Sequence, residues 1–282
     1  MALNLNPRCG KYIKRELFKM KKIIALILSL VMVFAFAACG NEKAVENAAS
    51  DLDYIKSNGK LIIGITDYAP MNYKDEAGKW TGFDTEFAEL VCEKLGVTPE
   101  FVEIDWDNKF IALESKSIDC IWNGMTISDE VKANTNCSDA YVKNAQVVVM
   151  AKDKAAEYKD VAAMKDLKFA VEAGSAGATA AADNGFANVI EAGTQTDAVL
   201  EVASGSCDAC IIDITMAKAM VEKEGSSYSD LAVANELTSE EYGIGCRKGS
   251  DLTAEINKLM AELKADGTLV DLAAKYELTL AE

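Results

Sequence analysis

From position 60 onward the apolar residues follow two alternating periods. Short runs that are apolar throughout or at every second position read as strands: Lys60–Ile65 between Gly59 and Gly64, Glu100–Trp106 with Val102, Ile104 and Trp106 on one side, Cys120–Trp122, and the valine-rich Gln146–Met150. Stretches with a 3.6-residue period separate them. In Gly82–Leu95, Phe83, Phe87, Leu90, Val91 and Leu95 share one face, acids fill the first turn and Gly96 ends the helix. Asn108–Ser115 is a second helix. The pattern then restarts with strand Leu167–Val171, helices Ala176–Asn184 and Gln195–Ser204, strand Ala209–Ile212 and helix Thr215–Lys223. Strand Tyr242–Cys246 and helices Leu252–Lys264 and Leu269–Tyr276 complete it. Strands separated by helices predict parallel sheets with crossover connections, an α/β architecture. Two similar connectors, Ser115-Lys116-Ser117-Ile118-Asp119-Cys120 and Ser204-Gly205-Ser206-Cys207-Asp208-Ala209, each end a helix and open a strand, which suits a molecule of two lobes.

Ahead of this body lies a different pattern. Lys21 and Lys22 precede an apolar run, Ile23–Ala38, broken only by Ser29. At 16 residues it is shorter than the ~20 that span a bilayer, and with its basic flank and the small residues Ala37 and Ala38 it reads as an export signal. Cys39 directly after those alanines resembles the bacterial lipoprotein box, in which the Cys is acylated and becomes the first mature residue. That divides the chain into a signal at 1–38, with Met20 as an alternative start, and an acylated tether at 39–50.

Charge and composition narrow the function. The chain has 282 residues, 29 Lys+Arg, 45 Asp+Glu and no histidine. The first 38 residues hold seven of the bases and one acid, so the mature part carries 22 bases against 44 acids, a net of -22, with Arg247 its single arginine. Such a surface repels nucleic acid, and the lack of histidine removes His-based triads, His-ligated metal and imidazole acid–base chemistry. No metal or cofactor set is legible. Cys207-Asp208-Ala209-Cys210 matches C-x-x-C but precedes a buried strand, and no second pair completes a zinc site. One disulfide among the remaining cysteines stays open; a disulfide framework does not fit.

In open α/β sheets ligands sit beyond the carboxyl ends of the strands. Those ends carry Asp67-Tyr68, Trp106, Asn123-Gly124-Met125-Thr126, Gly174-Ser175 and Asp213. Asp213 follows the apolar pair Ile211-Ile212, a costly place for a carboxylate without a cation or donors; capping the next helix is the alternative. Gly174-Ser175-Ala176-Gly177 opens a helix and offers free N–H groups to an anion. Together these groups suit a small zwitterion, its cation on Asp213, its anion at a helix start and its body between rings.

Gly82-Phe83-Asp84-Thr85-Glu86-Phe87-Ala88-Glu89-Leu90-Val91-Cys92 resembles the signature of bacterial extracellular solute-binding proteins of the polar amino acid class, the receptors of ABC importers. Asp105-Trp106, Asn123–Thr126, Ser138-Asp139-Ala140-Tyr141 and Gly243–Gly249 extend the resemblance over about Leu61–Tyr276. It implies a two-lobe, periplasmic-binding-protein-like fold of type II with two hinge crossings and a ligand cleft between lobes: lobe 1 from 51–143 plus 242–282, lobe 2 from 144–241. It also implies a monomer that delivers an amino acid or related solute to a permease and its ATPase, outside the cell membrane, without catalysis. Residue by residue it places Tyr68 and Trp106 as the rings flanking the ligand. Asn123, Gly124 and Thr126, with Ser175 and Ala176, would hold its carboxylate, Asp213 would hold its ammonium group, and Asp67 would be a further ligand-binding residue. The chain departs from the family where an arginine clamps the carboxylate, because Val131 stands about there and Lys132 lacks a guanidinium fork. That leaves two ligand readings, an amino acid whose carboxylate is held by N–H groups and hydroxyls, or a solute without a free carboxylate, an amine or an ester. Rival functions are an exported cyclohexadienyl-type dehydratase on the same fold, which would want cations for a di-anionic substrate, and a ligand-sensing module.

Overall fold

The computed structural model describes residues 50–282; the leader and Cys39 lie outside them. The chain opens with helix α1 (Asp51–Asn58), absent from the sequence reading because it buries only Ile55. Then follow β1 (Lys60–Ile65), the small hairpin β2 (Tyr73–Lys74) and β3 (Trp80–Thr81), α2 (Phe83–Leu95), β4 (Thr98–Glu103), α3 (Lys109–Glu114), β5 (Cys120–Thr126), α4 (Asp129–Asn134), β6 (Asn136–Cys137) and β7 (Val142–Asn144). After a single residue, Ala145, the chain enters β8 (Gln146–Ala151), followed by α5 (Lys152–Ala155), β9 (Phe169–Glu172), α6 (Ala176–Asp183), β10 (Val189–Ala192), α7 (Gln195–Ala203), β11 (Ala209–Asp213), the short α8 (Ile214–Met216) and β12 (Leu231–Glu236). It ends with β13 (Glu240–Cys246), α9 (Leu252–Ala265) and α10 (Thr268–Lys275).

Two sheets result. The first has the order β4-β1-β5-β13-β6, with β7 also paired to β13; the second has the order β10-β9-β11-β8-β12. Each sheet is the core of one lobe, and the chain crosses between them twice, at Ala145 and between Glu236 and Glu240.

The expectation of parallel sheets needs correcting. β1 pairs in parallel with β4 and β5, and β9 with β10 and β11. The strands flanking the crossings, β8, β12 and β13, pair antiparallel. They run straight from one sheet to the other without the crossover helix that a parallel connection needs. Two further elements differ. Strand β4 stops at Glu103, and Trp106 stands in a tight turn, Trp106–Asn108, started by Asp105 whose side chain accepts from Asp107 N–H at 3.2 Å. The helix expected over Thr215–Lys223 is α8 followed by a wider turn at Ala217–Val221.

The two similar connectors fold alike. Lys116 and Gly205 both adopt positive φ, 62° and 76°. In each, the flanking serine hydroxyls meet at 2.9 Å, Ser115 with Ser117 and Ser204 with Ser206. Asp119 accepts from Ile62 N–H as Asp208 accepts from Lys168 N–H, both at 2.9 Å. One local solution turns the chain from helix to strand in both lobes.

The first lobe's core is aromatic. Phe87 meets Trp122 edge to face at 4.9 Å, and Phe83 stacks on Tyr141 at 6.1 Å. At the far end of β5, Arg247 is held by Asp51 at 3.0 Å, Asp119 at 3.1 Å and the Ile118 carbonyl at 2.6 Å. It therefore joins the first turn of α1 to the sheet and takes no part in the cleft. Removing one partner of a buried ion pair strands the other charge. Arg247→Ala is therefore expected to cost about 3 kcal/mol, read as a shifted denaturant midpoint, with solute affinity unchanged in the folded fraction.

Candidate functional site

The carboxyl ends of β5, β9 and β11 converge between the lobes on a cavity of about 140 Å³. Trp106 and Lys109 close one side, Thr126 and Val131 lie on the first lobe, and Glu172, Ser175 and Asp213 lie on the second. The lobes meet tightly beside it. Gly174 has φ 65°, and a Cβ there would stand 2.7 Å from Asp107 Oδ1 and 2.9 Å from its Cα, so only glycine lets the two backbones approach. Across the same seam Lys109 Nζ donates to the Gly174 carbonyl at 2.8 Å and to the Trp106 carbonyl at 3.1 Å, lying 5.0 Å from the Trp106 ring centre.

Asp213 occupies the N-cap position of α8 but makes no capping bond, which removes the capping alternative. Its carboxylate accepts from the side-chain amides of Asn144, Gln146 (2.8 Å) and Gln195, and Gln195 Oε1 accepts the Asp213 N–H at 2.9 Å. Asn144 and Gln146 donate equally to Glu240, at 2.7 and 2.8 Å, where Thr126 Oγ1 also donates at 2.8 Å. Two carboxylates thus share the amides of β7 and β8, the strands flanking one crossing. Burial, then the nearby Glu240 charge, pushes Asp213 up to about 6. Glu172, also buried, rises to about 8 through burial and the Asp213 charge, with Lys109 opposing.

The other residues singled out by sequence divide in two. Trp106, Asn123, Gly124, Thr126, Ser175, Ala176 and Asp213 all line the cavity. Asp67 and Tyr68 do not: Asp67 is exposed, and Tyr68 is buried behind Gly124 with its hydroxyl on Thr215 (2.6 Å) and Tyr242. A Cβ at Gly124 would come within 2.5 Å of the Tyr68 ring, so this tyrosine shapes the wall from the rear.

Several groups expected to face a carboxylate are already engaged. Asn123 donates to Thr66 Oγ1 and accepts from Thr66 N–H and Asn72. Gly124 N–H donates to Asp84 at 2.6 Å, and Ser175 N–H to the Glu172 carbonyl at 3.3 Å. Ser175 Oγ caps α6 by accepting from Ala178 N–H at 3.2 Å, leaving the N–H groups of Ala176 and Gly177 without partners among the described residues. Lys132 is exposed and outside the cavity, while Val131 is buried in its wall.

Sequence reasoning missed Lys109, Gln195, Asn144, Gln146, Glu240 and Glu172. Glu172 was within reach, since it follows the apolar Phe169–Val171 as Asp213 follows Ile211-Ile212. The amides carried a weaker signal, polar residues inside otherwise apolar strands. Lys109 carried none, because its role arises only when the lobes meet, and Glu240 none, because it is strand pairing that sets it opposite Asn144. Among the described residues no group of three or more His, Cys, Asp or Glu could hold a metal, the six cysteines are free thiols, and no helix is long and apolar enough to cross a membrane.

A two-lobe frame with strand ends converging on an interlobe cavity is the geometry of a receptor that encloses a small solute. Residues 61–279 match the family described as bacterial extracellular solute-binding proteins, family 3. The chain belongs to that family. This solute-binding protein is 32% identical over 269 residues to the arginine-binding extracellular protein ArtP of Bacillus subtilis, covering 91% of this chain and 98% of that one. It is 31% identical over 231 residues to the L-cystine-binding protein TcyJ of Escherichia coli K12, covering 80% and 85%. The crystal structure of the ancestral amino acid-binding protein AncCDT-1, a precursor of cyclohexadienyl dehydratase, superposes with a TM-score of 0.74 at 32% identity, covering 80% of this chain and 99% of that one.

Asp84, buried behind the wall, accepts from Gly124 N–H and from the Tyr141 hydroxyl at 3.0 Å, while burial drives its carboxyl from 3.8 to about 7. The folded protein therefore holds a proton there that the unfolded chain has released, so stability falls as pH rises from about 4 to about 7. Asp84→Asn keeps an acceptor for both donors and is expected to flatten that part of the stability–pH profile, measured by denaturation at a series of pH values.

Proposed function

We propose that this protein is the extracytoplasmic receptor of an ABC importer, capturing a polar amino acid or related small solute by closure of its lobes and presenting the closed form to a permease. The observation that carries this reading is the interlobe cavity with Asp213 in its wall: a carboxylate buried among three amides, with no capping role. A buried acid held by neutral donors is ready to meet an ammonium group. Relatives that bind arginine and L-cystine support an amino acid as the ligand class. Closure follows from the distribution of contacts, because a ligand shifts a two-state equilibrium only by its differential affinity, and groups from both lobes line the cavity. Lys109 on Gly174 and Tyr68 on Thr215 hold the closed arrangement from the protein's side.

The cavity favours binding over dehydration. A di-anionic substrate would meet Glu172, Asp213 and Glu240 there, and the one cation, Lys109, is turned onto two carbonyls. Membrane attachment through acylated Cys39 follows from the leader pattern Lys21-Lys22, Ile23–Ala38, Cys39. Cys39→Ser is expected to abolish fatty-acid labelling and release the protein from the membrane fraction; unchanged labelling would remove the anchor.

Calorimetry with a panel of amino acids and their amines tests the receptor reading. Asp213→Asn is expected to weaken binding of the preferred solute at least about tenfold and to lower the melting temperature, because the Asn NH2 would face an amide donor where a carboxylate oxygen now accepts. Unchanged affinity would detach Asp213 from the ligand.

A further inference from the structure

The cavity wall contains a second acid whose side chain makes no hydrogen bond to another side chain and no ion pair among the described residues, so its carboxyl stays open to the cavity. Glu172 is 4% exposed and lines the cavity. Only the backbone N–H of Gln195 faces its carboxyl; among the described residues it has no side-chain hydrogen bond and no ion pair. Asp213, by contrast, is held by three amides, and Glu240 by two amides and two hydroxyls. A carboxyl enclosed this far, with its oxygens facing the cavity, draws its remaining hydrogen-bonding partners from whatever the cavity holds.

The charges around it specify that partner. Asp213 stands beside Glu172 on the neighbouring strand, Asp197 on α7 and Glu240, Glu130 and Asp183 elsewhere around the cavity. Lys109, from the opposite lobe, is the one base in the wall, and its ammonium is committed to the Trp106 and Gly174 carbonyls. The field inside the cavity is therefore negative, and a solute of low charge would leave it uncompensated.

We propose that Glu172 is a specificity-determining residue that receives a second cationic group of the solute, so that the protein selects solutes with two cations on one carbon chain, Asp213 taking one and Glu172 the other. This rests on the receptor reading above. Two sources share that chemistry, basic amino acids and the diamines left when they lose their carboxylate. Bound to an amino acid, the protein would offer the carboxylate the free N–H groups of Ala176 and Gly177; a diamine would leave those to water.

The binding is linked to protons. With no cation present, burial, Asp213 and Asp197 favour the neutral carboxylic acid of Glu172 near neutral pH, while Lys109 and the Gln195 N–H oppose. An arriving cation requires the carboxylate, so the acid O–H bond breaks and the proton leaves to solvent as the ion pair forms. Affinity for dicationic solutes is expected to rise with pH toward about 8, by at most about tenfold per unit for one coupled proton.

Calorimetry on the mature protein compares L-lysine, L-arginine, cadaverine and agmatine with the neutral counterparts norleucine and L-citrulline, in buffers of different ionisation enthalpy. The expected result is a preference of at least about tenfold for a cationic member over its neutral counterpart, with a proton released on binding. In Glu172→Gln, which keeps the side chain's shape, both the preference and the released proton are expected to disappear. Amino acids binding in preference to amines would identify the first source, and the reverse order the second. Should Glu172→Gln fail to fold, the proton release and its pH dependence in the parent protein decide the same question: release that rises and falls with the Glu172 titration supports the proposal, and binding without it overturns it. A preference undiminished in the variant, or neutral counterparts bound as tightly as cations, overturns the proposal while leaving the receptor reading intact. Failure of every amino acid and amine to bind overturns the receptor reading itself.

Discussion

Negative charge held out of water organises this molecule. Asp213 and Glu240 stand close enough to share the amides of Asn144 and Gln146, and they do so where the chain passes between its two sheets. An isolated buried carboxylate would ionise only at severe cost, so its neighbours must be donors, and here the donors are side chains of the crossing strands. Pocket and crossing are in consequence one hydrogen-bonded unit. Anything that alters the charge at Asp213 is felt by Asn144 and Gln146, the residues on either side of Ala145, and through Glu240 by the return strand as well.

The remainder of the site is fitted around that unit. Gly124 and Gly174 lack side chains because Tyr68 and Asp107 occupy the space that a Cβ would need. Asp84 and Asn123 spend their hydrogen bonds on holding the wall in place and offer little to a ligand. Few groups are left free to act on a solute: the Trp106 face, the N–H pair of Ala176 and Gly177, and the acids. Selectivity on this scaffold is then a matter of which acids line the wall and which cations are missing from it, Val131 being the clearest omission.

Much of the fold was legible because periodicity reports burial. The long helices Phe83–Leu95 and Leu252–Ala265 and the strands through Ile63, Ile121 and Val148 bury a regular face and announce it. Elements with little burial gave no such signal: α1 buries one residue, and β10 has no buried position at all. The antiparallel strands at the crossings were misread as part of a parallel pattern, because their composition is that of any buried strand. For the site, strand-end position brought Trp106, Thr126, Ser175 and Asp213 into view, whereas Tyr68, an aromatic at the right place along the chain, faces the rear of the wall. Which hydrogen bonds are already spent is a property of the folded network and leaves no trace in spacing. Lys109 illustrates the limit, since its partner Gly174 lies in the other lobe and 65 positions away.

If the buried acids of the interlobe cavity bind a cationic solute, a crystal structure of the mature protein grown with its tightest-binding solute shows it most directly. The account predicts solute density between the lobes against Trp106, with one cationic nitrogen within hydrogen-bonding distance of Asp213 and another on Glu172. Density for an acidic or uncharged solute, or a solute bound away from Asp213 and Glu172, would contradict it.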